Sequence, residues 1–333
     1  MKIFYAVQAT GNGHISRARQ LLPFLFEYGD VDLFLSGDNA TLDAGLSIKY
    51  RSKGLSLFYK ECGGLNYSKM ILKNSLLRAH KEARLLPVEK YDIIINDFDY
   101  ITALACRKKG ISSVQFGHQA SFMSANTPRP QKRSLTGEYI LKKYAPADRY
   151  VGLHFQSYDD FIHPPVIKKE ILNATPDNDG HITVYLPSYD QHCLQRIFES
   201  LDQFNFHWFM PEVNSPFKSK NIRYFPISDK LFTDSMINCE GVITGGGFET
   251  PSEVLFLGKK LMSSPSRDHY EQKCNAAALK RIGVTVLDDI NENTFSHEII
   301  NWFNHPALNY RQKANDVKAT IENVLGINQV MVA

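Results

Sequence analysis

The sequence has few cysteines, and none of them lies in a metal-binding or disulfide pattern. The five cysteines of the 333-residue chain are dispersed, and no two form a CxxC pair. An odd, dispersed set favours reduced thiols over a disulfide framework or a zinc site. The first residues enter an apolar segment without a signal-peptide pattern. Together these absences lead us to expect a cytoplasmic protein.

The chain also lacks a long hydrophobic run and a strong charge imbalance. No apolar segment approaches the ~20 residues that a membrane-spanning helix needs. The formal net charge is only +3, so we expect no nucleic-acid partner. Low-complexity segments and short tandem repeats are missing too. The remaining composition, 43% apolar and 22% charged residues, is typical of a globular protein long enough for two domains.

Strand-like and helix-like segments alternate in two separate parts of the chain. In the first, an apolar run at 2–9 precedes a glycine turn and a helix predicted at 15–26. In the second, the pattern restarts with a strand predicted at 182–186. Between them, the prolines of segment 163–166 (HPPV) cannot continue a helix and indicate a hinge. This predicts two α/β halves with parallel sheets, whose ligands bind beyond the carboxyl ends of the strands.

Four other segments give expectations about the surroundings of a site. We expect residues 149–153 to form the last strand of the first half, 124–137 a flexible loop, and 307–325 a final helix. Residues 65–86 are predicted to form one or two amphipathic helices that mix leucines with basic side chains. Either their leucines face the core and the basic face is solvated, or the segment contacts an acceptor or a membrane surface.

The most informative stretch spans residues 241–276. A short apolar run ends in three glycines, Gly245, Gly246 and Gly247, and helix-start signals follow. Glycines let a backbone approach a ligand closely, and helix N-termini offer free N–H groups, so this arrangement suits phosphates. The side chains expected to contact sugars on either side of the phosphates are Glu253, Glu271 and Gln272.

Each of these side chains also has a purely structural explanation. Thr250-Pro-Ser-Glu253 matches a capping box with Thr250 as the N-cap, so Glu253 could serve the helix instead of a ligand. Glu271 and Gln272 could be solvated residues that open a helix. Their joint placement with the glycines is what favours a binding site.

His14 follows the glycine turn of the first half. A nicotinamide-binding GxGxxG motif would have a third glycine where Arg17 stands, and an acidic residue after the second strand, which ends in LSG. A dehydrogenase is therefore disfavoured. At a helix N-terminus, the dipole is expected to depress the pKa of His14 and favour a neutral base. The alternative is a histidine that caps the helix or bonds to the backbone.

Three polar residues follow the ends of other strands in the first half. Asp97 could orient His14 and stabilise its imidazolium, or it could cap the next helix; Asp99 is the alternative partner. His118 is a candidate for acceptor binding. The DxD spelling of residues 97–99 is better explained as a strand-end turn, and no ligand-like cluster accompanies it, so we expect no metal site.

Two stretches, 10–18 (TGNGHISRA) and 240–276, resemble signatures of glycosyltransferases of the GT-B fold. The nearest branch contains the peptidoglycan N-acetylglucosaminyltransferase and the UDP-sugar glycosyltransferases. The resemblance implies two Rossmann-like parallel-sheet domains facing each other across a cleft. Residues 1–163 would bind the acceptor, 164–306 the nucleotide sugar, and the helix within 307–333 would pack back towards the first domain.

The resemblance also implies a role for each candidate residue. His14 would be the base, with Asp97 as its partner, and Glu253 would bind the ribose. Acceptor contacts would fall to Asn12 and His118. The donor phosphates and sugar would contact Ser188, Gly245, Gly246, Gly247, Glu271 and Gln272.

These roles predict an inverting, metal-independent transfer from a nucleoside-diphosphate sugar, expected to be UDP-linked, to an acceptor hydroxyl. The acceptor could be a small molecule, a glycan or a lipid-linked compound, the last at the inner face of a membrane. No cofactor is expected beyond this co-substrate. Two departures weaken the match: the loop 187–190 is PSYD where relatives often have a glycine-serine loop, and Arg17 replaces a proline of several relatives.

Two other functions fit the same signatures. A UDP-N-acetylglucosamine 2-epimerase shares the architecture and would turn over its substrate without an acceptor. A non-catalytic nucleotide-sugar sensor would bind UDP without turnover, and replacing His14 would leave binding unchanged.

Overall fold

A computed structural model describes residues 1–9, 12–37, 47–55, 75–290 and 292–327. In these residues the chain forms two seven-stranded sheets, one from each half. Helices alternate with the strands in both halves. The two-domain, Rossmann-like α/β architecture predicted from the sequence is therefore confirmed.

The first sheet has the strand order β3-β2-β1-β4-β5-β6-β7, and all its paired strands are parallel. Its strands are β1 (Lys2–Gln8), β2 (Asp30–Ser36), β3 (Ile48–Ser52), β4 (Ile93–Asp97), β5 (Val114–Gly117), β6 (Arg149–Leu153) and β7 (Ile162–His163). The accompanying helices are α1 (Asn12–Leu25), α2 (Leu76–Leu85), α3 (Tyr100–Lys109) and α4 (Leu135–Lys143), with short 3₁₀ turns at Val88–Lys90 and Gln119–Met123. Six of the seven residues of β1 are buried, as expected for a central parallel strand covered on both faces.

The second sheet has the order β10-β11-β9-β8-β12-β13-β14 and is parallel except for β10, which pairs antiparallel with β11. Its strands are β8 (His181–Tyr185), β9 (Asn205–Met210), β10 (Phe217–Ser219), β11 (Ile222–Pro226), β12 (Gly241–Gly245), β13 (Lys260–Ser264) and β14 (Thr285–Val286). The remaining helices are α5 (Lys169–Leu172), α6 (Gln191–Ser200), α7 (Asp229–Asn238), α8 (Glu249–Leu257), α9 (Tyr270–Arg281), α10 (Glu292–Asn304) and α11 (Val317–Leu325).

One apolar cluster includes residues of both halves, and further clusters lie within each half. The shared cluster contains Val7 of β1, Val254 of α8 and Ile321 of α11, all at most 1% exposed. Such continuous burial stabilises the contact between the halves. The cleft between the sheets is therefore closed over part of its length, and residues from both halves face each other there.

Two element boundaries differ from the sequence-based expectations. The first sheet does not end at β6, because the two-residue strand β7 pairs with it in parallel. The final helix begins at Val317, not at residue 307. Residues 307–316 cross the first half without helical structure: the hydroxyl of Tyr310 and the side-chain amide of Gln312 donate to the carbonyl of Phe155, at 2.6 Å and 3.0 Å.

The last helix is attached to the first half of the chain. Arg149 of β6 donates to the carbonyl groups of Asn323 and Val324, at 2.8 Å and 2.7 Å. These are among the last carbonyls of α11, where intrahelical donors run out; that of Asn323 also accepts from the amide of the C-cap residue Gly326 at 3.0 Å. The Tyr28 hydroxyl also donates to Glu322 at 3.0 Å.

Two segments near the cleft differ from the predicted pattern. Within 65–86, the residues before 75 lie outside the described part; from there α2 buries Ala79 and Ala83 but exposes Leu76, Leu77 and Leu85. Its leucines thus do not form a core-facing stripe. Segment 124–137 was predicted to be a flexible loop. It instead buries Thr127 and includes the first turn of α4.

Candidate active site

The N-termini of two helices, one from each half, meet in the cleft. The first turn of α1 contains Gly13, and α8 begins at Glu249. A Cβ added to Gly13 would lie 2.5 Å from Oε2 of Glu249, so the helix starts are in contact. A helix N-terminus carries a partial positive charge that attracts anions. The carboxylate of Glu249 itself lies at the start of α1.

A cavity of about 240 Å³ lies at this junction and is lined by both halves. Its lining residues are Asn12, Gly13, Ser16, Lys168, Tyr185, Phe209, Ile227, Ser228, Asp229, Phe232, Gly247, Phe248, Glu249, Thr250 and Glu253. The aromatic rings give it apolar walls, and the helix starts and charged side chains give it polar ones. A pocket with apolar walls and a few converging polar groups is the usual form of a ligand site.

His14 and Asp97 lie together beside this cavity. Nδ1 of His14 is 3.0 Å from Oδ1 of Asp97, whose side chain is 0% exposed. The sequence places His14 just after a turn, whereas the structure has it as the third residue of α1. Asp97 ends β4, so a helix start and a strand end bring the pair together. The other ring nitrogen, Nε2, is not part of this contact.

Arg17 completes a network around Asp97. Its Nη2 donates to both carboxylate oxygens of Asp97, at 2.8 Å and 2.9 Å, and Nη1 donates to Glu249 in the other half. Arg17 and His14 are three residues apart in α1 and therefore lie on the same helix face. The same Nη2 lies 3.0 Å from Nδ1 of His14. Hydrogen bonds between charged groups are among the stronger polar contacts in proteins.

The network reverses the pKa shift that the helix dipole alone predicts for His14. Burial lowers the pKa of His14, but the charge and hydrogen bond of Asp97 outweigh burial and raise it above its ordinary value. For Asp97, burial disfavours the charged form, and the charges of Arg17 and His14 hold its pKa below the usual range. The expectation of a depressed histidine pKa was therefore wrong.

Asp97 and Asp99 have different surroundings although only one residue separates them. Asp99 is the N-cap of α3 and accepts from the Thr102 amide at 2.7 Å. Phe98 between them has φ of 59°, a left-handed conformation that is uncommon for a side chain of this size. The strand-end turn expected at 97–99 is thus present. It directs Asp97 to His14 and leaves the capping to Asp99.

Glu253 does not belong to a capping box. Helix α8 begins at Glu249 after Phe248, which makes no side-chain cap, so Thr250 is already inside the helix. The Glu253 side chain is buried against the cavity, and its Oε1 lies 3.8 Å from Nζ of Lys168. Burial raises the pKa of Glu253 to about 7, and Lys168 offsets only part of that effect. The capping interpretation was wrong, because the helix starts two residues earlier than the motif requires: its N-cap is Phe248 and not Thr250.

The three glycines after β12 have different surroundings. A Cβ at Gly246 would lie 2.8 Å from both Cβ and the carbonyl oxygen of Gln272, so this glycine allows the loop to pack against α9. A Cβ at Gly245 would make ordinary contacts at 3.8 Å and beyond, and one at Gly247 would meet nothing within 4 Å. Gly247 also lines the cavity. It is therefore the glycine whose backbone a ligand can approach.

Glu271 and Gln272 lie in the first turn of α9 and already have protein partners. Oε1 of Glu271 accepts from the side-chain amide of Gln119 at 3.1 Å, across the cleft. Oε1 of Gln272 accepts from the Ser266 amide at 2.9 Å. Neither residue lines the cavity at the helix junction. A ligand that binds these side chains would have to compete with these contacts.

His118 is a buried part of the interface between the halves. It is 1% exposed, its Nε2 is 2.8 Å from Oδ1 of Asn275, and its ring stacks on Phe248 with centroids 4.0 Å apart. Asn275 in turn donates to the carbonyl of Gly246 at 3.0 Å. Burial lowers the pKa of His118, although the charge of Glu271 works against this. Asn275 thus links His118 to the loop that contains Gly246.

Ser188 lies apart from the helix junction. It lines a second cavity, of about 220 Å³, together with Tyr189, Arg267 and Asp289. Asn12, by contrast, lines the junction cavity next to Gly13. The structure thus brings Asn12, Gly247 and Glu253 to one cavity and places Ser188 in another.

The sequence analysis did not assign a role to Arg17, Glu249 or Lys168. Arg17 had one usable signal, since it follows His14 by three residues on a helix. Glu249 stands at the start of the predicted helix, where an acidic side chain is common and draws no attention. Lys168 approaches Glu253 from the hinge region, and no spacing in the sequence connects the two.

The described residues hold neither a metal-binding cluster nor a membrane-spanning helix. They contain no group of three or more His, Cys, Asp or Glu side chains that could hold a metal ion. In the same part of the chain, no helix is both long and apolar enough to cross a membrane.

The fold is similar to that of solved structures with little sequence identity. Arabidopsis thaliana UGT89C1 complexed with UDP is 13% identical with a TM-score of 0.60, and 98% of this chain and 94% of that chain are covered. Acinetobacter baumannii MurG is 15% identical with a TM-score of 0.54 over 99% of both chains. A putative UDP-N-acetylglucosamine 2-epimerase from Listeria monocytogenes is 12% identical with a TM-score of 0.61, covering 100% and 96%. At these identities the likeness establishes the fold alone.

Sequence comparison adds the family. Among curated proteins there is no sequence match to this chain. The family model of glycosyl transferase family 1 matches residues 1–302, which is most of the chain. Together with the two facing sheets, this match confirms the predicted resemblance. The chain belongs to glycosyl transferase family 1 and is a glycosyltransferase of the GT-B fold.

Proposed function

We propose that this glycosyltransferase moves a sugar from a nucleoside-diphosphate donor, UDP-linked, to an acceptor hydroxyl, with inversion and without a metal ion. The observation that carries the proposal is the junction of two helix N-termini over a cavity lined by both halves. A diphosphate is the part of such a donor that two helix N-termini would stabilise. The acceptor stays unassigned.

The cavity offers a group for each part of a nucleoside diphosphate. Tyr185, Phe209 and Phe232 provide apolar walls for a planar base, and the open backbone of Gly247 and the start of α8 suit the phosphates. Glu253, buried beside them, is suited to accept hydrogen bonds from ribose hydroxyls. The neighbouring UGT89C1 structure contains UDP, which supports the choice of nucleotide.

The His14–Asp97 pair supplies the chemistry of the acceptor side. In the tautomer in which Nδ1–H of His14 donates to Asp97, Nε2 is free of that contact and can take the proton of an acceptor hydroxyl. The hydroxyl oxygen then bonds to the anomeric carbon as the bond from that carbon to the diphosphate breaks. Asp97 stabilises the imidazolium, and the helix N-termini stabilise the departing charge. One in-line displacement gives inversion.

The remaining predicted residues have supporting parts in this proposal. Glu271 and Gln272 would hold hydroxyls of the donor sugar after exchanging their present partners, Gln119 and Ser266. Ser188 would reach the phosphates from the neighbouring cavity. Asn12, in the first turn of α1, would contact the acceptor.

A thermal-shift screen with nucleotides and nucleotide sugars tests the donor. At a hundredfold excess over the dissociation constant, UDP should stabilise the folded protein by ~2.7 kcal/mol. Adenosine diphosphate serves as the matched control for the base. The proposal is wrong if neither uridine nor thymidine diphosphate compounds raise the melting temperature.

The epimerase function is the second candidate, because the epimerase neighbour has a TM-score of 0.61, as high as that of the UDP-bound glycosyltransferase. Incubation with UDP-N-acetylglucosamine in the absence of any acceptor separates the two. An epimerase would release the 2-epimer or its products, whereas the proposed transferase would leave the donor sugar unchanged. A non-catalytic sensor would bind UDP equally well after His14→Ala and turn over nothing.

A further inference from the structure

Arg17 contacts both halves of the molecule from a position with almost no solvent exposure. Its side chain is 3% exposed. Nη2 lies 2.8 Å and 2.9 Å from the two oxygens of Asp97, and Nη1 donates to Glu249 at the start of α8. A guanidinium suits this bridge, because its N–H groups point in fixed, diverging directions within one plane. One cation is thus divided between a carboxylate of each half.

Glycines provide the space that both ends of this bridge occupy. Gly117, at the end of β5, has φ of +152°, and a Cβ there would lie 2.6 Å from Oδ1 of Asp97 and 3.2 Å from Nη2 of Arg17. At the other end, a Cβ at Gly13 would lie 2.5 Å from Oε2 of Glu249. Any larger residue at either position would displace a member of the bridge.

The carboxylates and the guanidinium of this bridge shift the pKa of His14 in opposite directions. The charged residues that face its ring are Asp97 of β4, Arg17 of its own helix and Glu249 of α8. Tyr5 of β1 lies close enough to the Asp97–Arg17 pair to interact with both charges. Burial, the largest effect, lowers the pKa of His14. Asp97 and Glu249 raise this pKa, and Arg17 lowers it. How strongly Glu249 engages the guanidinium of Arg17 therefore affects the pKa of His14.

We propose that Arg17 is a positioning residue through which Glu249 of the second half controls the protonation of His14 in the first half. Glu249 engages part of the guanidinium and so leaves more of the Asp97 charge to His14. Nη2 of Arg17 also lies 3.0 Å from Nδ1 of His14, so the guanidinium and the imidazole compete for the same carboxylate. The catalytic value of this coupling rests on the proposed function, but the link itself is a property of the protein without ligand.

A double-mutant cycle read out on His14 tests the coupling without any nucleotide. The pKa of His14 is measured by NMR in protein labelled in its histidine rings, and its signal is assigned by its loss in His14→Gln. Glu249→Gln should lower this pKa by on the order of 0.5 to 1 unit. In the Arg17→Lys background, the same substitution should cause at most about half of that shift. A lysine keeps the charge, but its single nitrogen cannot bridge the two carboxylates.

A second variant keeps the test decisive if Arg17→Lys does not fold. Glu249→Asp retains the charge, but its carboxylate is one methylene shorter and loses contact with Arg17. If the contact matters, Glu249→Asp should lower the pKa of His14 nearly as much as Glu249→Gln does. If only the charge of Glu249 matters, Glu249→Asp should leave the pKa unchanged, and the proposal is wrong.

Arg129→Lys is the matched control. Arg129 is also a buried arginine; its Nε donates to Glu138 at 2.6 Å, and Glu138 accepts from Tyr270 across the cleft at 2.7 Å. This second link between the halves does not include His14, so Arg129→Lys should not shift the pKa of His14. Equal shifts from Glu249→Gln in both Arg17 backgrounds, or a comparable shift from Arg129→Lys, would overturn the proposal.

The two proposals can fail separately. If UDP does not stabilise the wild-type protein but the cycle shows coupling, the donor assignment fails and the Arg17 link stands. If UDP stabilises the protein and the cycle shows no coupling, the link fails and the donor assignment stands.

Discussion

The two halves of the molecule face one cleft but contribute to it differently. The first half brings charges that are already paired: Asp97, at 0% exposure, contacts both His14 and Arg17. The second half brings the open backbone of Gly247 and the buried Glu253, whose ion-pair partner Lys168 is 3.8 Å away. The groups proposed for proton transfer are thus held in place before a ligand arrives. Of the groups proposed for the donor, Gly247 and Glu253 have contacts left to make.

This difference is what a transferase of the proposed kind would need. Groups that act in the transition state contribute most when they are preorganised, because no reorganisation is then needed during the reaction. A binding group gains affinity when the ligand supplies its missing partners. The raised pKa of Glu253 shows that its position is costly for the charged form without a ligand. Three sets of substitutions test the comparison.

The largest effect is expected from breaking the paired charges of the first half. Asp97→Asn leaves Arg17 buried without a counter-charge on that side, and should lower the free energy of unfolding by about 3 to 5 kcal/mol at pH 7. Because the folded pKa of Asp97 lies below its unfolded value, its stabilising effect should be present above about pH 4 and be lost as the pH falls through the folded pKa. Urea denaturation across this pH range measures both.

Asp99→Asn is the control for that change. Asp99 is equally buried, but it caps α3, and asparagine caps helices about as well as aspartate. Its replacement should cost less than about 1 kcal/mol. If both substitutions cost the same, the ion pairs around Asp97 are not what stabilises the first half.

The next largest effect concerns the buried carboxyl of Glu253 in the second half, whose ion pair with Lys168 is long, at 3.8 Å. The pKa of Glu253 rises from 4.5 to about 7 on folding, so the unfolded chain ionises first as the pH increases. Glu253 should therefore destabilise the fold progressively between pH 4.5 and 7, by on the order of 3 kcal/mol in total. Glu253→Gln should remove this loss, so that the variant exceeds the wild type in stability at pH 8 but not at pH 4.

The same variant should weaken UDP binding by about tenfold, which corresponds to about 1.4 kcal/mol. Isothermal titration with UDP at pH 7.5 measures this. A variant that loses stability at every pH and binds UDP normally would show that Glu253 serves the helix, and the contrast between the halves would disappear.

The smallest effect distinguishes two adjacent glycines that follow β12, Gly246 and Gly247. Gly246→Ala would force a Cβ to within 2.8 Å of Gln272 and should cost about 1 to 3 kcal/mol of stability. Gly247→Ala has open space and should change stability by less than about 0.5 kcal/mol. If Gly247 faces the phosphates, its alanine variant should still lose UDP affinity. Thermal melts with and without UDP separate the two effects; equal losses of stability would contradict the assignment.

Much of the architecture could be predicted because its signals are local. Buried parallel strands such as β1 appear as continuous apolar runs, and the glycines at 245–247 mark a loop before a helix. The two sheets followed from such runs, and the family resemblance followed from the motif stretches 10–18 and 240–276. Asp97 could be proposed as the partner of His14, since both follow strands at one edge of a parallel sheet. Boundaries were less predictable: the helical pattern from 307 gave no sign that Tyr310 and Gln312 bond to Phe155.

The sequence by itself therefore determined the fold class and the family, and it singled out His14, Asp97, Gly247 and Glu253 as candidates, because strand ends and glycine turns are encoded by neighbouring residues. Only the tertiary structure decided how these groups are charged and connected. Arg17 and Glu249 are 232 residues apart in the chain, and no periodicity relates them. The direction of the pKa shift of His14 is the balance of burial against three charges from three elements. Such a balance exists only once the two halves are packed together.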